Sequence, residues 1–509
     1  MVVAILGPGE KGRERMAAED QVSGEVSLAS GASASTVLYR VLADVAAAYP
    51  SVFADVDLGG SADAFKGRYP NVLPVFEAHR ADSADRVEIA HALVDSMASR
   101  MAWRSDDGEI PLAAHVSRPA MPLALETRSF ASTPNLRPKV PVAGSLLSGN
   151  ALLDYAGSQV DCGSASPGVV EGTAWVVKNA GDAGFNLSDR RIVVLGAAAE
   201  LAPTRMWLEG GADVLWIDTT PLPADLLQAS DLAGTVRWVP GGADLLAEPG
   251  RIRSTIEEFA GDGRVDIGLY AYAPGKAREL RLTTVMQAIV DALPRDCVGT
   301  IAMLVSPTTC GVLSEHDLAG EERRNAQRPR WQRALGSVGL LGKGGGHAEA
   351  GSTATNRGVV SIQGTSYQAA QYLGKLMAAE AWAAGPDAHH VSANTAGISR
   401  TESLQHPLFD AAFAGADAFG VETYDPATTA ALNGLLVLRD WLDPDAPCRP
   451  DPDPDRTGAD LACALTTTRI HGGVYQAPYP VDQALRIAAG IGIAKDPRRI
   501  TPIIRNRPA

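Results

Sequence analysis

The sequence lacks the features that would put it in a membrane, in a disulfide scaffold or on nucleic acid. No stretch reaches the eighteen or more uncharged apolar residues of a bilayer-spanning helix, so no membrane partner is expected. The opening run MVVAIL turns polar and charged at once, without the basic flank or apolar length of a secretory signal. Cysteine is scarce: Cys162, Cys297, Cys310, Cys448 and Cys463 are odd in number, scattered and form no C-x-x-C. That argues against a disulfide framework or a metal site, and for reduced thiols in the cytoplasm. There is no Lys/Arg block either. With 45 basic against 59 acidic residues and a net charge of −14, the surface repels a phosphate backbone, which excludes nucleic acid as a partner. A nucleophile elbow, a Walker loop and an internal repeat are also missing.

What is present is a long chain with two rhythms. Its 509 residues exceed one ordinary core, so several units are expected. Residues 1–145 read as a mainly helical region. Ser35 to Tyr49 and Ala84 to Trp103 repeat apolar residues at helical spacing, and a proline-rich connector follows them. Residues 146–443 form the main unit. From Arg190 the chain alternates apolar runs (RIVVLGA, VLWID, TVRWVPG, VDIGLYAYAP, VGTIAMLVSP) with helical patterns, which predicts βαβ units. The runs are continuous rather than alternating, as in a parallel sheet covered on both faces. The section 309–357, charged and then glycine-rich, reads as an insertion. Residues 444–509 read as a Pro/Asp linker and a C-terminal element that packs back on the main unit.

The fold class expected is thus α/β, a Rossmann-type doubly wound parallel sheet with an additional helical N-terminal region. A dinucleotide on such a sheet needs small residues in the turn after the first strand, where a helix opens beneath its phosphates. It also needs an acid ending the second strand to hold ribose hydroxyls. Gly196 ends RIVVLG, Ala197, Ala198 and Ala199 keep the turn small, and Asp218 ends VLWID 22 residues on. An acid there favours NAD(H) over NADP(H), because a 2′-phosphate would meet negative charge. Glu200 departs from the pattern by placing a carboxylate near the phosphates. A second glycine match, Gly7, Gly9 and Gly12 in LGPGEKG, is interrupted by Pro8 and Lys11 and reads as a surface loop.

The order of elements resembles the short-chain dehydrogenase/reductase superfamily. Gly242-Ala243-Asp244 after the third strand resembles that family's turn beside the adenine, with Asp244 in the acidic position. The stretch Ser366 to Gln371 resembles its Tyr-x-x-x-Lys helix. VSANTAGISRT resembles the segment closing on the nicotinamide, with Gly397 and Thr401 in register. The resemblance implies Tyr367 as proton donor or acceptor and a lysine that lowers its pKa and binds the ribose. It also implies a Ser/Thr that orients the substrate carbonyl.

The position four after Tyr367 is Gln371, so the lysine would be Lys375, eight residues on and about 80° round an α-helix. Some enoyl reductases related to the superfamily use a wider Tyr–Lys spacing. Tyr372 with Lys375 is the alternative pair. Ser306 matches the orienting hydroxyl, with Ser361 and Thr365 as rivals. Ala273, within Ala271–Gly275, stands where the family has its asparagines, and Tyr270 or Tyr272 would face the cofactor instead. His347 reads as a polar loop residue, and His389 and His390 as solvent-facing.

The function these residues imply is an NAD(H)-dependent oxidoreductase acting on a carbonyl, hydroxyl or activated C=C of a small-to-medium organic molecule. The N-terminal region and the insertion would then shape a substrate cleft or the contact of a homo-oligomer. The alternatives are a binding or scaffold protein that has lost hydride transfer, and a lyase or isomerase on the same fold.

Overall fold

The computed structural model describes residues 24–384, 388–404, 407–448 and 468–499. The glycine match at Gly7 to Gly12, Cys463 and the Asp/Pro run from Asp451 to Asp455 lie outside the described residues. A small antiparallel sheet comes first among the described residues: β1 (Glu25–Leu28), β2 (Met101–Ser105) and β3 (Gly108–Pro111). β4 (Glu126–Ser129) follows, then a hairpin of β5 (Lys139–Val142) and β6 (Ser145–Ser148). β7 (Arg191–Leu195), β8 (Asp213–Ile217), β9 (Thr235–Trp238), β10 (Val265–Leu269) and β11 (Val298–Val305) come next. A second hairpin, β12 (His347–Ala350) with β13 (Thr353–Asn356), precedes the last strand, β14 (His390–Thr395).

These strands make an α/β fold around a mostly parallel, seven-stranded mixed sheet of order β14-β11-β10-β7-β8-β9-β4. Six strands run parallel, and β4 is the antiparallel edge. In chain order the six lie 3-2-1-4-5-6, so the direction of winding reverses between β7 and β10. The connector expected to be merely extended thus supplies an edge strand.

Alternation along each strand explains why the runs are apolar throughout. Val193, Leu195, Leu215, Ile217, Ile267, Leu269, Ile301 and Met303 enter one core; Ile192, Val194, Val214, Trp216, Ala302 and Leu304 enter the other. Neighbouring residues point to opposite faces, so a sheet covered on both sides must be apolar at every position. The first face carries helices Pro249–Ala260 and Arg278–Ala292 and a longer helical run from Gly364 to Ala383. The second carries Pro167–Ala180 and Pro426–Leu442.

The N-terminal helices extend the first core. Ala34–Ala48 starts where Ser33 accepts the Thr36 N–H at 3.2 Å, and it buries Val37, Leu38, Val41, Leu42 and Val45. The helix expected over Ala84 to Trp103 ends at Ala98, because Met101 to Trp103 pair with β1 as a strand. In the insertion, the single charged helix expected is split at Pro329 into Glu315–Ala326 and Arg330–Ser337. The C-terminal helix Val481–Lys495 packs in a third core with Leu313, Val360 and Phe419. No helix among the described residues is long and apolar enough to cross a membrane.

Candidate functional site

Because six strands are parallel, their C-terminal ends share one edge of the sheet, and the chemically distinctive residues gather along it. Gly196 leaves β7, Asp218 leaves β8, Asp244 follows β9, Ala273 follows β10, Ser306 follows β11, and Gly397 and Thr401 follow β14. Tyr367 and Lys375 lie on the crossover between β11 and β14.

That crossover is one helix with an irregular middle: α-helical over Gly364–Gln368, π-helical over Ala369–Met377 and α-helical over Ala378–Ala383. A π-helix closes its hydrogen bonds five residues apart, so each residue turns the chain less than the 100° of an α-helix. The 80° offset expected between Tyr367 and Lys375 therefore shrinks.

Three side chains stitch this helix to the end of β11. Lys375 Nζ donates to the Leu304 carbonyl at 2.8 Å, Gln371 Oε1 accepts the Ser306 N–H at 2.9 Å, and Gln368 Nε2 donates to the Thr308 carbonyl at 2.9 Å. Gln371, where a lysine is usual, thus holds the main chain that presents Ser306. Burial pushes the Lys375 ammonium down to about 8.

Hydroxyl groups converge in front of that anchor. Ser306 Oγ and Thr308 Oγ1 are 2.9 Å apart, and Thr308 Oγ1 donates to Gln363 Oε1 at 2.8 Å. The Tyr367 hydroxyl is within reach of both Ser306 and Thr308. Burial raises the phenol above its ordinary value, against the downward pull of those two hydroxyls. Tyr272 meets the Tyr367 ring edge-on, with centroids 6.1 Å apart, and Ser366 Oγ donates to Glu279 Oε2 at 2.8 Å. Of the rivals for the serine role, Ser361 donates to Asp482 on the C-terminal helix, and Thr365 is buried. Tyr270 is buried, with its ring packed over Gly268.

Tyr372 is not brought to this cluster. Its hydroxyl donates to Glu77 Oε2 at 2.7 Å, inside a buried network in which Arg80 bonds Glu77 and Glu380, and Arg86 bonds Glu380. Tyr372 and Lys375 end on different partners, and the first ties the helix to the N-terminal region.

The other end of the edge is built from main chain. Gly196 has φ +85°, and a Cβ there would run into the Ala271 backbone, so only glycine lets the turn press against the chain leaving β10. The Gly196 and Ala197 N–H groups donate to the Ile217 carbonyl at 2.8 and 3.3 Å, and the Ala199 N–H donates to the Gly196 carbonyl at 3.0 Å. Asp218 Oδ2 accepts the Ala198 N–H at 3.0 Å and Oδ1 accepts the Thr220 N–H at 2.8 Å. The following helix, Thr204–Glu209, has six residues and begins eight positions after Gly196, so the helix expected to open at the glycine does not.

Asp244 Oδ1 accepts the Leu246 N–H at 2.8 Å in its own turn, beside Asp218, whose carbonyl accepts the Ala243 N–H at 2.7 Å. Ala273 sits in a loop whose next turn holds Lys276 and Ala277 at positive φ. Glu200 points away from the turn, where it accepts the Glu402 N–H at 2.9 Å and ties the segment holding Thr401 to the end of β7. Gly397 leaves room for the Tyr424 ring.

Sequence reasoning missed a buried cluster beside the end of β14. Arg469 donates to Asp317 Oδ2 at 2.5 Å and to the Val312 carbonyl at 2.7 Å, its guanidinium lies over Tyr475, and the Ile470 N–H reaches the Thr395 carbonyl at 3.0 Å. Burial alone would raise the Asp317 carboxyl, but Arg469 and His471 hold it well below the usual range. The Ser314-x-x-Asp317 capping box was the local signal for Asp317; nothing local announced Arg469.

The histidines differ from expectation. His347 is on β12 between Glu321 and Glu349, each at 2.7 Å, which raise it to about 9. His390 is turned inward, 3.0 Å from Thr300 Oγ1 and 3.2 Å from Cys448 Sγ.

No protein-family model matches the chain, and no curated protein matches it.

Proposed function

We propose that the chain is an oxidoreductase of the short-chain dehydrogenase/reductase type, on a Rossmann-type sheet, acting on a carbonyl, hydroxyl or activated C=C of a small-to-medium organic substrate. NAD(H) is the proposed carrier in preference to NADP(H). One observation carries the reading. The hydroxyls of Ser306, Thr308 and Tyr367 converge at the end of the fifth parallel strand, and the only lysine of that helix is bonded two residues before Ser306. The 3-2-1-4-5-6 strand order supports it, since ligands of such sheets lie outside the strand ends where the winding reverses.

In this reading Tyr367 gives or takes the substrate proton, and Ser306, held by Thr308, donates to the substrate oxygen. Lys375 supplies positive charge behind them while it is protonated, which favours the tyrosinate.

The residues present fit such a carrier only in part. Asp218, partly exposed at the tip of β8, has lone pairs left for ribose hydroxyls. The turn at Gly196 does not fit the phosphates as it stands, because its first N–H groups are already bonded and no helix opens behind them.

That same observation favours a second reading, a lyase or isomerase using the hydroxyl cluster without redox change. Titration of the protein with NADH and NADPH, read by fluorescence, separates the two. The first reading expects NADH to bind more tightly and Asp218→Ala to weaken it; no binding of either nucleotide removes the first reading. A reaction that needs Lys375 charged would lose rate as pH rises through about 8, and a flat profile there would take Lys375 out of the mechanism.

A further inference from the structure

Thr308 and Gln363, the outer members of the hydroxyl chain, also line a cavity of about 70 Å³. That size exceeds a single water site and falls short of a pocket for a whole drug-sized molecule, so it suits a short hydrocarbon group. Its wall is almost wholly apolar, with Ile398, Phe409, Phe413, Phe419, Val421 and Leu485 as its larger side chains. Among the described residues no charged side chain lines it, and beyond Thr308 and Gln363 the one polar group is Thr423. The polar end and the apolar body of the cavity are therefore distinct.

The cavity is roofed by helix Pro407–Gly415 and the C-terminal helix Val481–Lys495. These two approach so closely that a Cβ on Gly415 would meet the Ala488 carbonyl, and one on Gly492 the Ala411 carbonyl. Backbone-to-backbone contact fixes their separation, so the roof does not collapse into the space beneath.

We propose that this cavity takes a short apolar group of the substrate, a few carbons long, next to a carbonyl or hydroxyl that lies at Ser306, Thr308 and Tyr367. This rests on the acid–base site proposed above for the reacting end. A sugar, an amino acid or a carboxylate-rich substrate is disfavoured, because its polar groups would lose water and find no partner along the wall. An apolar chain loses nothing there, and each methylene removed from water tightens binding roughly fourfold.

The test needs no nucleotide and no turnover. Straight-chain 2-alkanones, from 2-butanone to 2-dodecanone, are titrated into the full-length protein against the fluorescence of bound 1-anilinonaphthalene-8-sulfonate. Affinity is expected to climb roughly fourfold per methylene and then level where the cavity is full. Ala412→Phe, on the roof helix, should lower the chain length at which it levels; Phe413→Ala should raise it. The second variant removes atoms rather than adding them, so the opposite shifts guard against a misfolded protein, with thermal midpoints read alongside. Affinity independent of chain length, or a limit that neither variant moves, would overturn the assignment. A gradient in protein that binds no NADH leaves the cavity assigned and removes only the cofactor; NADH binding without a gradient does the reverse.

Discussion

The ends of β11 and β7 lie on the same edge of the same sheet, follow equally apolar strands, and are finished in opposite ways. At β11 the side chains of Gln368, Gln371 and Lys375 satisfy main-chain groups, which leaves the Ser306 and Thr308 hydroxyls 2.9 Å apart with Tyr367 beside them. At β7 the main chain satisfies itself, with Gly196 and Ala197 bonded to Ile217 and Ala199 to Gly196. A buried backbone group must find a partner, so whatever satisfies it decides what remains for a ligand. The first end keeps side-chain hydroxyls available to a ligand; the second must open before its donors can meet an anion.

The sharpest way to break that comparison is to treat the two tyrosines of one helix alike. Tyr367→Phe should lower any measured carbonyl reduction by about 10²–10⁴-fold, the usual worth of a positioned acid/base, with the unfolding midpoint nearly unchanged. Tyr372→Phe should do the opposite, because it leaves the Glu77 carboxylate short of a buried hydrogen bond. It should cost about 1–3 kcal/mol in urea unfolding and spare the rate. If Tyr372→Phe abolishes turnover while Tyr367→Phe does not, the site belongs to the other face of the helix.

Gly196→Ala addresses the β7 end. A side chain at φ +85° is strained, and its Cβ would press on the Ala271 backbone, so a loss of about 2–4 kcal/mol is expected in denaturant unfolding. A change below about 0.5 kcal/mol would mean that the turn is loose enough to open without cost, and the contrast with β11 would disappear.

Asp218→Ala is smaller and sharpens the same point. It frees the Ala198 and Thr220 N–H groups, so stability should fall by about 1–2 kcal/mol. NADH affinity, if Asp218 holds a ribose, should fall about tenfold while NADPH affinity changes less, as paired titrations would reveal. Equal loss for both nucleotides would make Asp218 a turn residue only.

How much of this was legible in the sequence depended on range. The strands could be read because the middle of a doubly covered sheet must be apolar at every position, and IVVL, VLWI and IAMLV are. Ser306 and Tyr367 could be placed by their order relative to those strands. The π-helical stretch could not, because AAQYLGKLM carries no local signal for wider winding. Nor could the work of Gln371, whose partner is a main-chain N–H 65 positions away. The apolar cavity was hidden for the same reason: its roof helices are separated by about seventy residues of sequence, and their meeting depends on Gly415 and Gly492, two small residues among many.

The smallest effect tests whether the insertion is independent of both ends. His347 bridges Glu321 and Glu349 and is raised to about 9 from its ordinary 6.5, so the folded protein holds that proton more tightly than the unfolded chain. The stabilisation is complete below pH 6.5 and is lost as pH rises through about 9. Glu349 is largely exposed and screened by solvent, so the effect should stay below about 1 kcal/mol. His347→Gln should flatten the fall in thermal midpoint between pH 6.5 and 9.5 and leave nucleotide titrations and rates untouched. Should it alter either, β12 would be coupled to the sheet edge, and the difference between β7 and β11 could no longer be explained by their local bonding alone.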